Sequence, residues 1–526
     1  MRLLLSRCRR PAYIALLAAT IASGAPAAAK PLYGPATPFS FERLDQRAQT
    51  LAAEPFKPTV IDDPAAYEAI DYDAHWKIKF REAATVEAGE TAPLQFFHLG
   101  RYFREPVKIS VVDHGTSREV LYDQDRYFSM PQDSPAHKIS GDAGFAGFRI
   151  MRPDLKTDWI SFLGGAYFRT DGSDTQYGLS ARGLALDTGL STPEEFPRFT
   201  EFYIAPGDDG SDAVIYALLD SPSVTGAYRM VAANDDGQIL DITASLHFRK
   251  PVERVGIAPL TSMFWYSEAN RINGRDWRPE VHDSDGLAIA SGSGERIWRP
   301  LNNPDRVVTS SFFDDHIKGF GLLQRDRDFT HYQDDGVFYN RRPSVWIETV
   351  GDWGKGAVQL VEIPTDDEIY DNIVAYWLPA DLPEAGTSMT YRYRLHWNRA
   401  EPYPTKLATT TATRIGPGGV PGQPRPAGLT KYVIDFAGAP LKGLTREDGV
   451  TPVVSVGNGA QIVDSSAYPI VSGTGWRMMF DIEVEPGVST VDIRAYLEKD
   501  GEALTETWLG QLHPRQFHPE LAEGRG

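Results

Sequence analysis

From about Trp76 onward the chain is a succession of short apolar segments, and that rhythm limits the fold more than any other feature. Leu94–Leu99, Val107–Val112, Ala143–Ile150, Phe162–Arg169, Tyr177–Asp187, Phe199–Ile204 and Ala213–Asp220 follow one another, with mostly short links apart from 113–142. Segments this short, closed by Gly, Pro, Asn or Asp, read as strands rather than helices. Ile239 to Phe248 alternates apolar and polar, as a strand with one wetted face does. With 47 Gly, 38 Pro, 25 Phe, 23 Tyr and 11 Trp, the composition favours strands and turns over helix bundles. The series runs well past the roughly 100 residues of an immunoglobulin-size sandwich. The expected fold is therefore mainly β, with a large two-sheet β-sandwich.

Two helical stretches precede it. Phe41, Leu44, Ala48 and Leu51 recur at helical spacing, which predicts a short amphipathic helix over Phe39 to Ala53. A further helical turn is expected over Pro64 to Ile70. Downstream, residues 401–429 hold P-Y-P-T, a Thr-rich run and G-P-G-G-V-P-G-Q-P-R-P, and read as a linker or long loop. A second strand series follows over 430–515, the size of an immunoglobulin-like module. The expected division is a leader at 1–29, a sandwich domain at 30–400, the linker, the second module and a tail at 516–526.

The leader has a basic start (Arg2, Arg7, Arg9, Arg10), an apolar run from Tyr13 to Ile21 and Ala27-Ala28-Ala29, which together read as a cleavable export signal. The apolar run is too short to span a bilayer, so no stable membrane insertion is expected after cleavage. The one cysteine, Cys8, lies in this leader. A mature chain would have no disulfide, no thiol nucleophile and no cysteine metal ligand. A bacterial-looking signal points to the periplasm. The net charge of -18 argues against nucleic acid and anionic lipid as partners.

Chemistry concentrates between Gly256 and Trp377. W-R-P-E-V-H-D-S-D-G-L (Trp277 to Leu287) and E-I-P-T-D-D-E-I-Y-D-N-I-V-A-Y-W (Glu362 to Trp377) set carboxylates beside aromatic rings where strand patterns break. Such breaks are where a β-scaffold displays function, although Asp, Ser and Gly are also ordinary turn residues. Paired carboxylates among rings suit glycosidic-bond chemistry, which needs a proton donor and a proton acceptor. Candidates are Asp283, Asp285, Asp326, Asp328, Asp334, Asp335, Asp366, Asp367, Glu368 and Asp371. Asp371 is the better acid, because it enters the apolar run I-V-A-Y-W and burial would keep it protonated. Asp283 is the better base, with His282 and Ser284 placed to orient it. His282, Asp283 and Asp285 lack calcium-loop spacing, and no second His or Cys cluster lies nearby, so no metal is expected. No phosphate-binding glycine loop opens a helix and S-G-S-G at Ser291 to Gly294 lacks an elbow context, so neither a cofactor nor a serine nucleophile is expected.

The chain resembles the OpgG/OpgD (MdoG/MdoD) family of periplasmic glucan biosynthesis proteins. The resemblance rests on G-F-A-G-F-R, Y-G-L-S-A-R-G-L-A, A-P-L-T-S-M-F, R-P-E-V-H-D-S-D-G-L, W-R-P-L-N-N-P, R-P-S-V-W and D-N-I-V-A-Y-W, in order along the mature chain. It implies a galactose-mutarotase-like sandwich followed by an immunoglobulin-like domain. It also implies a β-1,2-linked glucan as substrate, with Asp371 as acid, Asp283 as base and Tyr339 in the cleft. His282, Asp285 and Trp353 are expected to contact sugar, Trp353 and Tyr339 by stacking. D-type members resemble inverting hydrolases of β-1,2-glucan, and related members resemble transglycosylases that branch or cyclise it. The Gly-rich loop and Y-N-R-R-P-S-V-W lean toward the D type. The remaining alternative is a non-catalytic glucan-binding scaffold whose partner is a membrane glucan synthase.

Overall fold

A computed structural model describes residues 30–517, apart from 140, 209, 236 and 472. The expected signal at 1–29, Cys8 included, lies outside the described residues, as does the 516–526 tail beyond Phe517.

The fold is mainly β, as the strand rhythm requires. Sixteen strands form one sheet and eleven a second. Their inner faces meet over a core rich in phenylalanine. Phe148 and Phe162 of the second sheet lie edge-on to Phe202 of the first, with centroids 5.0 and 5.3 Å apart, a favoured aromatic geometry. The long hairpin Val224–Asp235 and Gly237–Phe248 shows how the sequence selects its face. Leu240, Ile242, Ala244 and Leu246 alternate inward and are buried. Its outer face is covered by the helix Phe41–Ala52, whose Leu44 and Ala48 pack on Leu218 and Ala227. Ser40 caps that helix by accepting from the Arg43 N–H at 3.3 Å.

The first sheet does not stop at the expected domain boundary. Its strand Arg296–Pro300 runs parallel to Thr507–Leu512, with Ile297 opposite Thr507 and Trp298 opposite Trp508. Val491–Lys499 and Thr451–Val456 extend the same sheet. A four-stranded sheet of Thr409–Pro417, Leu429–Ala437, Trp476–Val484 and Ala460–Pro469 packs against them. Tyr432, Phe480 and Trp508 fill the space between.

Residues 401–429 differ from the linker reading. Thr409–Pro417 is a strand paired with Leu429–Ala437, and the stretches on either side of it, 401–407 and 418–428, are irregular. The threonines that looked like linker composition are β-branched residues suited to a pleated surface. Thr410 and Thr413 are buried in the junction.

That junction is clamped by charge. Arg325 meets Glu506 through two hydrogen bonds of 2.6 and 3.1 Å. Glu506, 1% exposed, also accepts from the Thr410 N–H at 2.8 Å. The Arg325 guanidinium lies 3.7 Å over the Trp298 ring. Removing one partner of such a pair leaves the other buried and uncompensated. Glu506→Ala is expected to lower the unfolding free energy by about 3–5 kcal/mol in chemical denaturation, within one cooperative transition because the sheet is continuous.

Candidate active site

Strand Val255–Ser262 ends the second sheet's run at Ser262, and the chain then crosses toward the first sheet. On the way, Phe264–Tyr266 pairs with Val281–His282, and the chain enters the first sheet as Gly286–Ala290. This crossing positions both candidate carboxylates. The Asp283 N–H donates to the Met263 carbonyl at 2.8 Å, and the Asn372 N–H, next to Asp371, donates to the Ser262 carbonyl at 3.1 Å. The Asn372 side chain accepts from Phe264 N–H (2.8 Å) and donates to Phe264 O (2.9 Å), so it acts as an extra rung of sheet. Ser262 and Ser284 hydroxyls join below at 2.9 Å. One backbone segment thus holds the H-D-S-D turn and the D-N-I-V strand start together.

The two carboxyls have different surroundings. Asp283 is buried and ion-paired with Arg342. Burial pushes its carboxyl up, and Arg342, His282 and Arg169 pull against that. Asp371 is exposed by area, yet the protein groups around it disfavour its charged form. Its carboxyl is pushed up to about 6, chiefly by desolvation and next by the charge of Asp283, against Arg182, Arg169 and Arg342. The structure therefore brings Asp283 and Asp371 within each other's field. It gives Asp283 the cation, and Asp371 makes no hydrogen bond to another described residue.

Around them lies a polar lattice. Arg278 donates to Glu368 at 2.8 and 3.1 Å, to Asp334 at 2.9 Å and to Asp276 at 2.7 Å. The Tyr339 hydroxyl also donates to Glu368. Burial alone would raise Glu368, but these donors outweigh it and hold the carboxyl below its usual range. Glu368, three residues before Asp371, ties the acidic loop to the short helical turn Tyr339–Arg341. Phe338, which opens that turn, has φ +49°, a strained value for a phenylalanine. On the same turn Asn340 Oδ1 is a buried acceptor and Arg342 Nε a buried donor, each without a partner among the described residues. Buried polar atoms are rarely left so.

Several expected contacts move. Trp353 does not reach the site. It is buried against Trp377, Tyr391 and Tyr393, and its Nε1 donates to Arg392 O. It precedes Gly356, which pairs with Pro379, whereas Asp371 precedes Ile373 at the other end of that strand, roughly 20 Å away. Tyr339 is beside Asp283, with its ring 4.1 Å from the Arg342 guanidinium, but at 2% exposure it offers no free face for stacking. His282 is wholly buried and structural. Its Nδ1 faces Gln324 Oε1 at 2.9 Å and its Nε2 faces Glu280 at 3.1 Å. Gln324 Nε2 is engaged by three acceptors, the carbonyls of His282 and Tyr339 and the Tyr332 hydroxyl, which fixes the amide. Both imidazole nitrogens therefore face acceptors. Burial opposes the charge, but Glu280 outweighs it and raises the pKa. Asp285 is a turn clamp that accepts from Arg325 and Asp326 N–H at 2.9 and 2.8 Å.

Two exposed rings adjoin residues of the site. Trp277 adjoins Arg278, and Tyr370 lies between Glu368 and Asp371; they are 66% and 68% exposed. Sequence reading passed over Arg342, Arg278, Arg182 and Asn340. For Arg278 and Arg342 the signal available was the repeated Arg-Pro, in W-R-P-E and R-R-P-S. Glu280, Asp326 and His331 bring ligand atoms within 4.8 Å. Their contacts are already histidine–carboxylate pairs, His282–Glu280 and His331–Asp326.

Comparison with known proteins now adds to the geometry. The profile of the family described as "Periplasmic glucan biosynthesis protein, MdoG" matches residues 39–512. The chain belongs to the MdoG family. Glucans biosynthesis protein D 2 of Ralstonia nicotianae is 50% identical over 518 residues, covering 95% of this chain and 96% of the relative. Glucans biosynthesis protein D of Stenotrophomonas maltophilia is 45% identical over 488 residues, 91% of each chain. A probable glucans biosynthesis protein D of Shewanella oneidensis is 45% identical, covering 90% and 89%. A role in periplasmic glucan biosynthesis follows for this MdoG member, and no helix among its described residues is long and apolar enough to cross a membrane.

The coupling between the carboxyls has a direct check. Asp283→Asn removes the charge that helps raise Asp371, so the Asp371 titration midpoint, followed by NMR of the side-chain carboxyl, is expected to fall below about 6.

Proposed function

We propose that this MdoG member acts on the β-1,2-glucan backbone as an inverting glycoside hydrolase. The observation that carries the reading is the pair Asp283 and Asp371, held by one segment in unlike surroundings. A carboxyl that keeps its proton and a neighbour that keeps a cation are the two roles inversion divides between acid and base. Asp371 protonates the oxygen of the departing sugar. Asp283, its charge supported by Arg342, takes a proton from the attacking water, directly or through a short water relay. The partnerless donor of Arg342 and acceptor of Asn340 suit a hydroxyl, which both gives and accepts. Trp277 and Tyr370 take the stacking role that sequence reading gave to Trp353 and Tyr339. A sugar hydroxyl entering in place of water would turn the same steps into inverting transfer, branching or cyclising the glucan.

Sizing the products of a linear β-1,2-glucan incubated with purified protein tests the reading. Shortened chains are expected. Unchanged length with measurable binding would instead mark a glucan-holding partner of a synthase. Asp371→Asn is expected to lose at least about 100-fold in kcat, the usual scale of a proton-transfer role, with folding and glucan binding retained. Full activity in that variant would remove the acid assignment. The pH profile carries a sign. Asp371 works protonated, so kcat/KM is expected to fall as pH rises through about 6, the alkaline limb, while protonation of Asp283 sets the acidic limb. An Asp371 titration midpoint unmoved by Asp283→Asn would count against the pairing.

A further inference from the structure

The outer strand of a sheet shows backbone donors and acceptors that another chain can pair with. Proteins guard such edges with prolines, bulges, charges or shortness. Most edges of this fold carry one of these devices. Tyr33–Pro38, at one end of the first sheet, has Pro35, Pro38 and a break in its register. Thr451–Val456, at the other end, has Pro452. The second sheet ends on one side in Val86–Glu87, two residues long. In the four-stranded sheet the outer strands Thr409–Pro417 and Ala460–Pro469 each have a register break and a closing proline.

The other end of the second sheet differs. Val308–Asp314 pairs through all seven residues with Gly356–Glu362, without a break, and its far side meets no strand among the described residues. It holds no proline, lysine or arginine. None of its residues is buried, whereas every residue of Gly356–Glu362 is. Phe312 packs on the core, so the odd-numbered positions face out, and Phe313 is 86% exposed. Phe313, Ala357 and Leu378 form one row across three strands. They border a concavity of about 680 Å³ that Pro379 and Leu382 also line. An apolar face beside an unguarded edge marks an interaction surface.

The residues of the strand indicate what fits it. Laid antiparallel on its own copy about Ser310, the stretch Arg306 to Asp314 is self-complementary. Phe313 comes opposite Val307, itself 47% exposed, Phe312 opposite Val308, and Ser311 opposite Thr309. Aromatic and β-branched residues are favoured cross-strand partners. Arg306 comes opposite Asp314. Neither has an ion pair among the described residues: Arg306 donates to Thr490 Oγ1 at 3.2 Å, and Asp314 accepts from the Gly292 and His316 N–H groups at 2.9 Å each. The two-fold axis makes every one of these pairs twice. Asp305 and Asp315 also come opposite each other, but outside the strands and exposed, where salt screens them. Moving the axis to Ser311 would instead set Val307 and Val308 against Asp315 and Asp314.

We infer that Val308–Asp314 is a dimer edge. It pairs antiparallel with the same strand of a second copy of this chain, about a two-fold axis at Ser310, and the second sheet runs on through both molecules. The pairing is separate from the chemistry proposed for Asp283 and Asp371.

The test uses the whole chain at about 0.15 M salt, where repulsion between two chains of net charge -18 is screened. Sedimentation velocity is expected to show a concentration-dependent dimer. Phe313→Lys, which adds the charge that natural edges use, should raise the dissociation constant about 10-fold or more. Because Phe313 is exposed, far-UV circular dichroism should not change. In a Cys8→Ser background Ser310→Cys is the one thiol. Opposed Cα atoms of antiparallel strands are about 4.5–5.5 Å apart, within disulfide reach, so mild oxidation should join two chains. Ser311→Cys places its thiols on a diagonal of about 7–8 Å and should join poorly. A monomer at every concentration would overturn the dimer edge. So would a dimer that withstands Phe313→Lys and gives no disulfide at Ser310→Cys, since its interface would lie elsewhere. Faster joining at Ser311→Cys than at Ser310→Cys would overturn the axis.

Discussion

The carbonyls of Ser262 and Met263 are the fixed point of the candidate site. Each accepts one backbone N–H, from Asn372 and Asp283 respectively. Those two donors belong to chain segments that enter different sheets. Without this shared support, a carboxyl at the start of one strand and another in a distant turn would each settle independently, and their mutual field would be lost. Asn372 adds rungs on the same segment, and its amide can serve both as donor and as acceptor, which aspartate or leucine there could not.

Around that support, buried charges are matched almost one for one. Glu362, fully buried, pairs with Arg299 at 3.0 Å and accepts from Asn302 N–H at 2.7 Å. Asn303 then holds Thr365 in both directions, at 2.7 and 2.9 Å. The W-R-P-L-N-N-P stretch is thus a brace for the acidic loop, and Glu368 with Arg278 and Tyr339 braces it again nearer Asp371. Matching of this kind contributes little net stability. It fixes geometry, which is what a two-carboxylate site requires.

Much of this was legible in the chain itself. Alternation at Leu240, Ile242, Ala244 and Leu246 reads directly as an inward face, and the spacing of Leu44 and Ala48 as a helix stripe, because both follow from backbone period alone. Asp283 and Asp371 stood out because each interrupts a strand pattern. What local pattern could not carry was orientation. Trp353 and Trp277 are both tryptophans beside glycine or arginine, yet one is core and the other surface, and only sheet register separates them. His282 looked like a sugar ligand until its two acceptors, Glu280 and Gln324, were in place; Gln324 is 42 residues away. The Thr-rich run at 409–413 was read by composition as linker, although alternation of buried Thr410 and Thr413 with their neighbours belongs to a strand that bulges.

The continuous sheet at Arg296–Pro300 has a consequence for how the molecule is assembled. Arg325 waits for Glu506, and Glu295 for Thr507, across 181 and 212 residues. Pairings so far apart close large loops and come late in folding. The strand Arg296–Pro300, which flanks the one entered after Asp283, therefore has its outer edge covered only when nearly the whole chain is available. Until residues 507–512 arrive, a growing chain leaves that edge open to pairing with other strands.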